Sequence, residues 1–281
     1  MLEIQISKEK TAALYRTMKL IRCFEESVKR DYLNKELPGF VHLYIGEEAI
    51  ATGVCAALRQ DDLIESTHRG HGHCIAKGAA QHTQSVEAWF THIPGLKVIS
   101  PSNPYDAKMT LIAAIRSDDP VIYFENKTLL KESGEVPELA DEAPYELGKA
   151  RVEREGADVT IVSYSIGMKH ARAAADALEK RGYSAEVIDL ISLLPWDREA
   201  VLRSVRKTHR LCILHESIKQ GGFGGEIAAT VVEDAFDALK APILRFGAPF
   251  CPSPFSPTLE PQVRLSDEKI TRDLLKLLEY R

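Results

Sequence analysis

The pattern of apolar and polar positions divides the chain into helix- and strand-sized pieces. Leu14, Met18, Ile21, Val28 and Tyr32 recur at three- and four-residue steps or their sums, with Phe24 beside them. Lys and Arg fill the opposite face, so one amphipathic helix is predicted, broken by Pro38-Gly39. A second helix is predicted from Glu47 to Leu58, with Ile50, Val54 and Leu58 on one side. The run STHRGHGHCIAKG (66–78) has no apolar period, and most of it reads as loop. Leu96–Ile99 reads as a short buried strand. Asn103 then caps a helix with Pro104 in its first turn, running through Arg116. Val121–Glu125 is a strand, and the polar stretch 126–145, with Gly134, Pro137 and Pro144, is a linker.

Beyond the linker the grammar becomes regular. Strands are predicted at Val159–Tyr164, Glu186–Leu190, Leu211–Leu214 and Ile243–Phe246. Helices are predicted at Met168–Arg181, Asp197–Arg206, Gly224–Ala238 and Asp267–Leu278. Such alternation argues for a mainly parallel sheet covered on both faces, an α/β fold. No internal repeat or low-complexity tract interrupts it.

Composition narrows the function classes. The chain has 281 residues, long enough for two domains at about 150 residues each. Its net charge is 36 − 41 = −5, so nucleic acid is not an expected partner. No apolar run approaches the ~20 residues of a membrane helix, and the opening MLEIQISKEK lacks the apolar core of a signal peptide. Five cysteines are scattered and form no C-x-x-C pair. These features predict a reduced, cytoplasmic protein without a membrane partner.

Candidate chemistry concentrates in one loop. His68, Arg69, His71 and His73 lie among glycines, a setting that suits a phosphate; a solvated loop is the equal alternative. A metal is the weaker reading, because no carboxylate or thiolate pattern accompanies the histidines. His82 could move a proton near neutral pH, although a lone histidine is more often structural. Gly221–Gly225 opens a helix after a strand, but it is not G-x-G-x-x-G and Glu226 would repel an anion. Close helix–strand packing is the better reading. Trp89 and Phe90 read as core, and the Asn126-Lys-Thr sequon is set aside for want of a signal peptide.

Two groups of motifs carry a sharper resemblance. LPGFVHLYIGEEAIATGVCAAL followed by STHRGHGHCIAKG resembles the start of the α subunit of a thiamine-diphosphate-dependent 2-oxo acid dehydrogenase, of pyruvate or acetoin type. AQHTQSVEAWFTHIPGLKVISPSNPYDAK resembles the β subunit of the same complex, entered partway through. VIDLISLLPWD, HES and GGFGGEIAA resemble its transketolase-type C-terminal domain. The implied organisation is an α-like helical segment over 1–79, a partial pyrimidine-domain-like α/β region over 80–135, and a transketolase C-terminal-like domain over 146–281.

The resemblance implies thiamine diphosphate with Mg²⁺ as cofactor and a small 2-oxo acid or acetoin as substrate. His68 and Arg69 would contact the diphosphate, and Phe40 and His42 would lie on the substrate side. His71 belongs beside the entrance, and His82 would transfer protons. No protein metal ligand is assigned: the family's GDG motif does not occur here, nor does a counterpart of its pyrimidine-binding glutamate. Two functions follow. The chain is a component that decarboxylates or cleaves its substrate and passes the acyl unit to a lipoyl group, with α/β dehydrogenase subunits or self-association completing the pocket. Alternatively it is a catalytically incomplete fusion that docks on the dihydrolipoyl acyltransferase core. The resemblance also implies that the first helices lack their usual packing partners.

Overall fold

The computed structural model describes residues 7–36, 41–57, 71–77, 85–136, 145–254, 256 and 258–280. They fall into two compact units, one over 1–83 with 252–260, the other over 84–251 with 261–281.

The first unit is helical. Helix α1 (Lys8–Leu33) begins at Ser7, whose side chain accepts from the Lys10 amide. Helix α2 is Glu48–Ala57 and α3 is His71–Lys77. A small core of Ile21, Tyr44 and Ala51 is closed by Ile75 and Ala76. Those last two residues explain α3: the expected loop becomes helical over 71–77 because a short apolar pair reaches this core. The predicted stripe of α1 is only partly used. Ile21 and Glu25 are buried, while Leu14, Met18 and Val28 are half-buried and Phe24 and Tyr32 are exposed. Helix α2 buries the face opposite to the one its apolar residues suggest. Glu48, Ala51 and Thr52 are inside, with Ile50 59% and Val54 44% exposed. The ion pair from Glu48 to Arg22, at 2.6 Å, sets that face.

The second unit is α/β. It opens with the single turn α4 (Glu87–Phe90), strand β1 (Lys97–Ile99), helix α5 (Pro104–Ile115) and strand β2 (Val121–Tyr123). Asn103 caps α5 as expected, accepting from the Asp106 amide at 2.9 Å. Trp89 is 72% exposed, against its reading as core, because α4 is too short to turn both aromatic rings inward. Phe90 does pack, on Phe124 at 5.6 Å between ring centroids. In the described part of the expected linker, a 3₁₀ turn over Leu129–Lys131 precedes the ion pair between Glu132 and Lys169.

Then follow β3 (Arg151–Arg154), β4 (Val159–Ser163), α6 (Gly167–Glu179), β5 (Ala185–Asp189), β6 (Ser192–Leu194), α7 (Arg198–Thr208), β7 (Leu211–Ile218), α8 (Gly224–Ala235), β8 (Leu244–Ala248), the turn α9 (Glu260–Val263) and α10 (Asp267–Leu278). The five-stranded sheet has the order β3-β5-β4-β7-β8 and is parallel except for the edge strand β3. Alternate residues of one strand feed two cores. Ile161 joins Met168, Leu178, Ile270 and Leu274 on the α6/α10 face. Val162 joins Val201, Val205, Ile227 and Val231 on the α7/α8 face. A second sheet, β2-β1-β6, pairs β6 antiparallel to β1 and so ties the stretch before the linker to the stretch after it.

Candidate functional site

In the first unit, α1 places Glu25 one turn beyond Ile21, on the same inward face. Its carboxylate is fully buried, and Oε1 lies 2.9 Å from His71 Nδ1. The ring of Phe24 meets His71 edge-on at 5.7 Å. His71 is therefore anchored through Nδ1. Beside it, Glu48 takes the Arg22 guanidinium at 2.6 Å and the Gly46 amide at 3.1 Å on each oxygen. Arg22, offset in part by burial, holds this carboxyl down at about 2. Gly46 sits at φ +97°, a conformation glycine adopts without strain. Tyr44 is buried, its ring edge against His73 at 5.3 Å, and burial pushes its phenol up.

Of the residues singled out from sequence, His42, His71 and His73 belong to this described set. His42 is exposed and His71 is half-buried. Phe40, His68, Arg69 and His82 lie outside the described residues. The structure thus brings His71 onto Glu25 and gives no geometry for the other four. Sequence reasoning missed Glu25 and Arg22. The available signal was a carboxylate four residues after Ile21, inside an apolar stripe.

The second unit holds more buried polar chemistry than its sequence announces. Asp106 and Asp189 are fully buried and share Arg151, at 2.7 Å and 3.7 Å. Ser102 donates to Asp189. Burial pushes the Asp189 carboxyl up to about 7, against the pull of Ser102 and Arg151. On β7, the imidazole of His215 is buried and its Nδ1 lies 2.8 Å from Ser217 Oγ. Burial holds this histidine down at about 4. Three glycines make room for it. A Cβ on Gly222, Gly224 or Gly247 would fall 2.7–2.8 Å from an atom of the His215 ring. The glycine run that sequence reading assigned to close helix–strand packing does that work here, with β7 extending through His215 and Glu216 to Ile218.

Among the described residues no group of three or more His, Cys, Asp or Glu side chains is placed to hold a metal. Arg22 and Arg151 face carboxylates, and Arg69 lies outside the described set. The described residues do not by themselves compose a holder for a diphosphate with magnesium. No described helix is long and apolar enough to cross a membrane.

Comparison with known proteins names the architecture. Residues 148–270 match the family of the transketolase C-terminal domain, and residues 42–133 match that of the transketolase pyrimidine-binding domain. The second match begins inside the stretch that resembles an α subunit, and the α-like origin of 1–79 is not confirmed by it. The chain is 48% identical over 202 residues to the acetoin:2,6-dichlorophenolindophenol oxidoreductase subunit β of Bacillus subtilis, covering 72% of this chain and 58% of that one. It is 46% identical over 192 residues to the pyruvate dehydrogenase E1 component subunit β of Rhizobium meliloti, covering 68% and 42%. It is 42% identical over 207 residues to the 2-oxoisovalerate dehydrogenase subunit β of Bacillus subtilis, covering 72% and 62%. The chain therefore spans between 42% and 62% of the length of these relatives. A solved split-gene transketolase, described as an inactive β4 tetramer, superposes with a TM-score of 0.55 at 26% identity, over 69% of this chain and 61% of that one. Both stretches thus match transketolase-type α/β domain families, and across them the chain is similar to β subunits of acetoin, pyruvate and 2-oxoisovalerate dehydrogenases.

Proposed function

We propose that this chain is a β-type component of a thiamine-diphosphate-dependent pyruvate (2-oxo acid) or acetoin dehydrogenase complex, and that its cofactor pocket is completed by another chain. The carrying observation is the fully formed domain over 148–270, with a core on each face of its sheet. The partner would supply the magnesium and diphosphate ligands, for which the sequence has no GDG motif. Within such a complex His68 and Arg69 would meet the diphosphate, Phe40 and His42 the substrate, and His82 and His71 the proton transfers. The α-like segment 1–79, the partial pyrimidine region 80–135 and the C-terminal domain 146–281 are the divisions we propose for the chain. A reducing cytoplasm suits the described cysteines, none of which is in a disulfide.

The second reading is docking without turnover on the dihydrolipoyl acyltransferase core, where the acyl unit would reach a lipoyl group. It is favoured by the incomplete diphosphate holder among the described residues. Retention on the subunit-binding domain of the core, with and without an added α subunit, tests both. Retention with acyl transfer only when the α subunit is present supports the first reading. Retention with no turnover in either case supports the second, and no retention in either case contradicts both.

A further inference from the structure

The chain turns sharply where β5 ends. Asp189 closes β5, β6 starts at Ser192, and Ile191 between them stands at φ +59°. A β-branched residue in the left-handed region is strained and stays there only where its surroundings hold it. Two hydrogen bonds do so. The Ile191 amide donates to Asp189 Oδ1 at 3.1 Å, and the Ile191 carbonyl accepts from the Ser100 amide at 2.8 Å. Ser100 directly follows β1, and β6 pairs antiparallel to β1 at Val98–Leu194 and Ile99–Ser192. The strained turn therefore fastens the stretch that matches the pyrimidine-binding domain to the stretch that matches the C-terminal domain.

The carboxyl that holds this turn sits fully buried in a cluster of charges. Among the described residues, Arg151 and Glu153 face it from β3, Asp106 from α5 and Arg172 from α6, with Tyr145 as a further titratable neighbour. Asp106 takes the Arg151 guanidinium on both oxygens, at 2.8 and 2.7 Å. Arg172 Nη2 donates to Glu153 at 3.0 Å and lies 3.4 Å from Ser102 Oγ. Asp189 is left with the Ser102 hydroxyl, which donates to Oδ2, and with Arg151 at 3.7 Å, beyond hydrogen-bond reach. Two guanidinium groups thus face three carboxyl groups. The charges cancel only when one carboxyl carries a proton, and Asp189 has the weakest hold on an arginine. Burial pushes it up to about 7, against the pull of Ser102 and Arg151.

We propose that Asp189 is a proton-operated catch on this joint: carrying a proton, it keeps the Ile191 turn and the β1–β6 pairing closed, and losing the proton favours their opening. Ionisation leaves one surplus negative charge in a buried cluster. Opening relieves it by admitting water to the carboxylate and releasing Ile191 from the left-handed region. The closed carboxyl sits at about 7 and the open one at its ordinary 3.8, so opening releases one proton to solvent between those values. Over that range opening becomes easier by about tenfold per pH unit, and by little more above it. The joint is tight in acid and loosest from neutral pH upward.

Hydrogen–deuterium exchange of the full chain, read by mass spectrometry from pH 5 to 8, tests the catch. Rates in segments 97–101 and 190–194 are divided by those of an unstructured peptide at the same pH. Helix α10, packed in the core on the other face of the sheet, is the internal reference. Opening of the two segments relative to α10 should rise about tenfold per pH unit from pH 5 to 7 and level off above. Asp189→Asn keeps a hydrogen-bonding side chain that cannot ionise, and should hold the opening within about twofold across the range. A flat profile in the unaltered chain overturns the proposal, as does a slope kept in Asp189→Asn. Should Asp189→Asn fail to fold, Ser102→Ala carries the test. Removing the hydroxyl that favours the charged carboxylate should move the levelling-off up by about one pH unit. A profile unmoved by Ser102→Ala overturns the proposal.

Discussion

Glu87, Asp189 and His215 are buried titratable groups that pull stability in opposite directions with pH. Glu87 and Asp189 are held up at about 7, so the folded chain keeps protons that the unfolded chain has already released above its ordinary carboxylate range. Their contribution therefore declines as pH rises from about 4 to 7. His215 is held down at about 4, so the unfolded chain takes a proton below 6.5 that the folded chain refuses. Its contribution declines as pH falls from 6.5 to 4. Glu87→Gln should stabilise the protein by about 1–3 kcal/mol at pH 8 and change little at pH 4.5, by urea unfolding. A gain at pH 4.5 and none at pH 8 would contradict this. Arg151→Met should cost about 3–5 kcal/mol at pH 7.5, because two buried carboxylates lose their shared cation. A loss under about 1 kcal/mol in the same unfolding measurement would mean that Arg151 is not what holds Asp106 and Asp189. Little of this was legible in the sequence. Asp106 and Asp189 are ordinary acids within a helix and a strand, and only the fold places Arg151 between them. The histidine-rich loop did stand out, yet its one described anchor, Glu25, hid inside an apolar stripe.

At the scale of elements, the β7–α8 junction depends on small residues beside a buried ring. A Cβ on Gly224 would lie 2.7 Å from His215 Nε2 and 3.0 Å from Ile213 Cγ2. Gly224→Ala should therefore destabilise by about 1–3 kcal/mol. Adding His215→Ala should recover part of that loss, giving a coupling of about 0.5–3 kcal/mol in a double-mutant cycle read by thermal unfolding. Additive losses would show that the ring does not set the spacing. Element type was readable wherever the period ran long: α10 follows its predicted span and buries Ile270, Leu274, Leu277 and Leu278 on one face. Short or charged elements escaped. Strand β3 reads RVER because it is an edge with half its residues exposed, and β6 has only three residues. Helix α3 escaped because two apolar residues among histidines and glycine leave no period to count. The face of α2 was misjudged because an ion pair outranked Ile50 and Val54.

For the whole molecule, the sequence suggests a break at the polar stretch 126–145, whereas β6 returns to pair with β1 and joins both sides of that stretch in one compact unit. Long-range pairing of three-residue strands leaves almost no trace in a linear pattern. Family resemblance was legible because it rests on whole motifs, and the matched domains over 42–133 and 148–270 agree with its β-subunit part. The acid response of the first unit belongs to this scale. Arg22 and Gly46 hold Glu48 at about 2, so that stabilisation is present above the ordinary carboxylate range and lost as pH falls from about 4.5 to 2. Circular dichroism should show helix lost over that window, less steeply in Glu48→Gln, and an identical acid transition in both proteins would contradict the account.

The central claim is that this chain carries a working transketolase-type domain but needs another chain to hold its cofactor. Calorimetric titration of thiamine diphosphate with Mg²⁺ tests it most directly. The titration is run into the purified chain alone and into the chain mixed with an α subunit of a pyruvate or acetoin dehydrogenase. The account predicts no saturable heat for the chain alone and magnesium-dependent, saturable binding in the mixture beyond that of the α subunit by itself. Saturable, magnesium-dependent binding to the chain alone would contradict it.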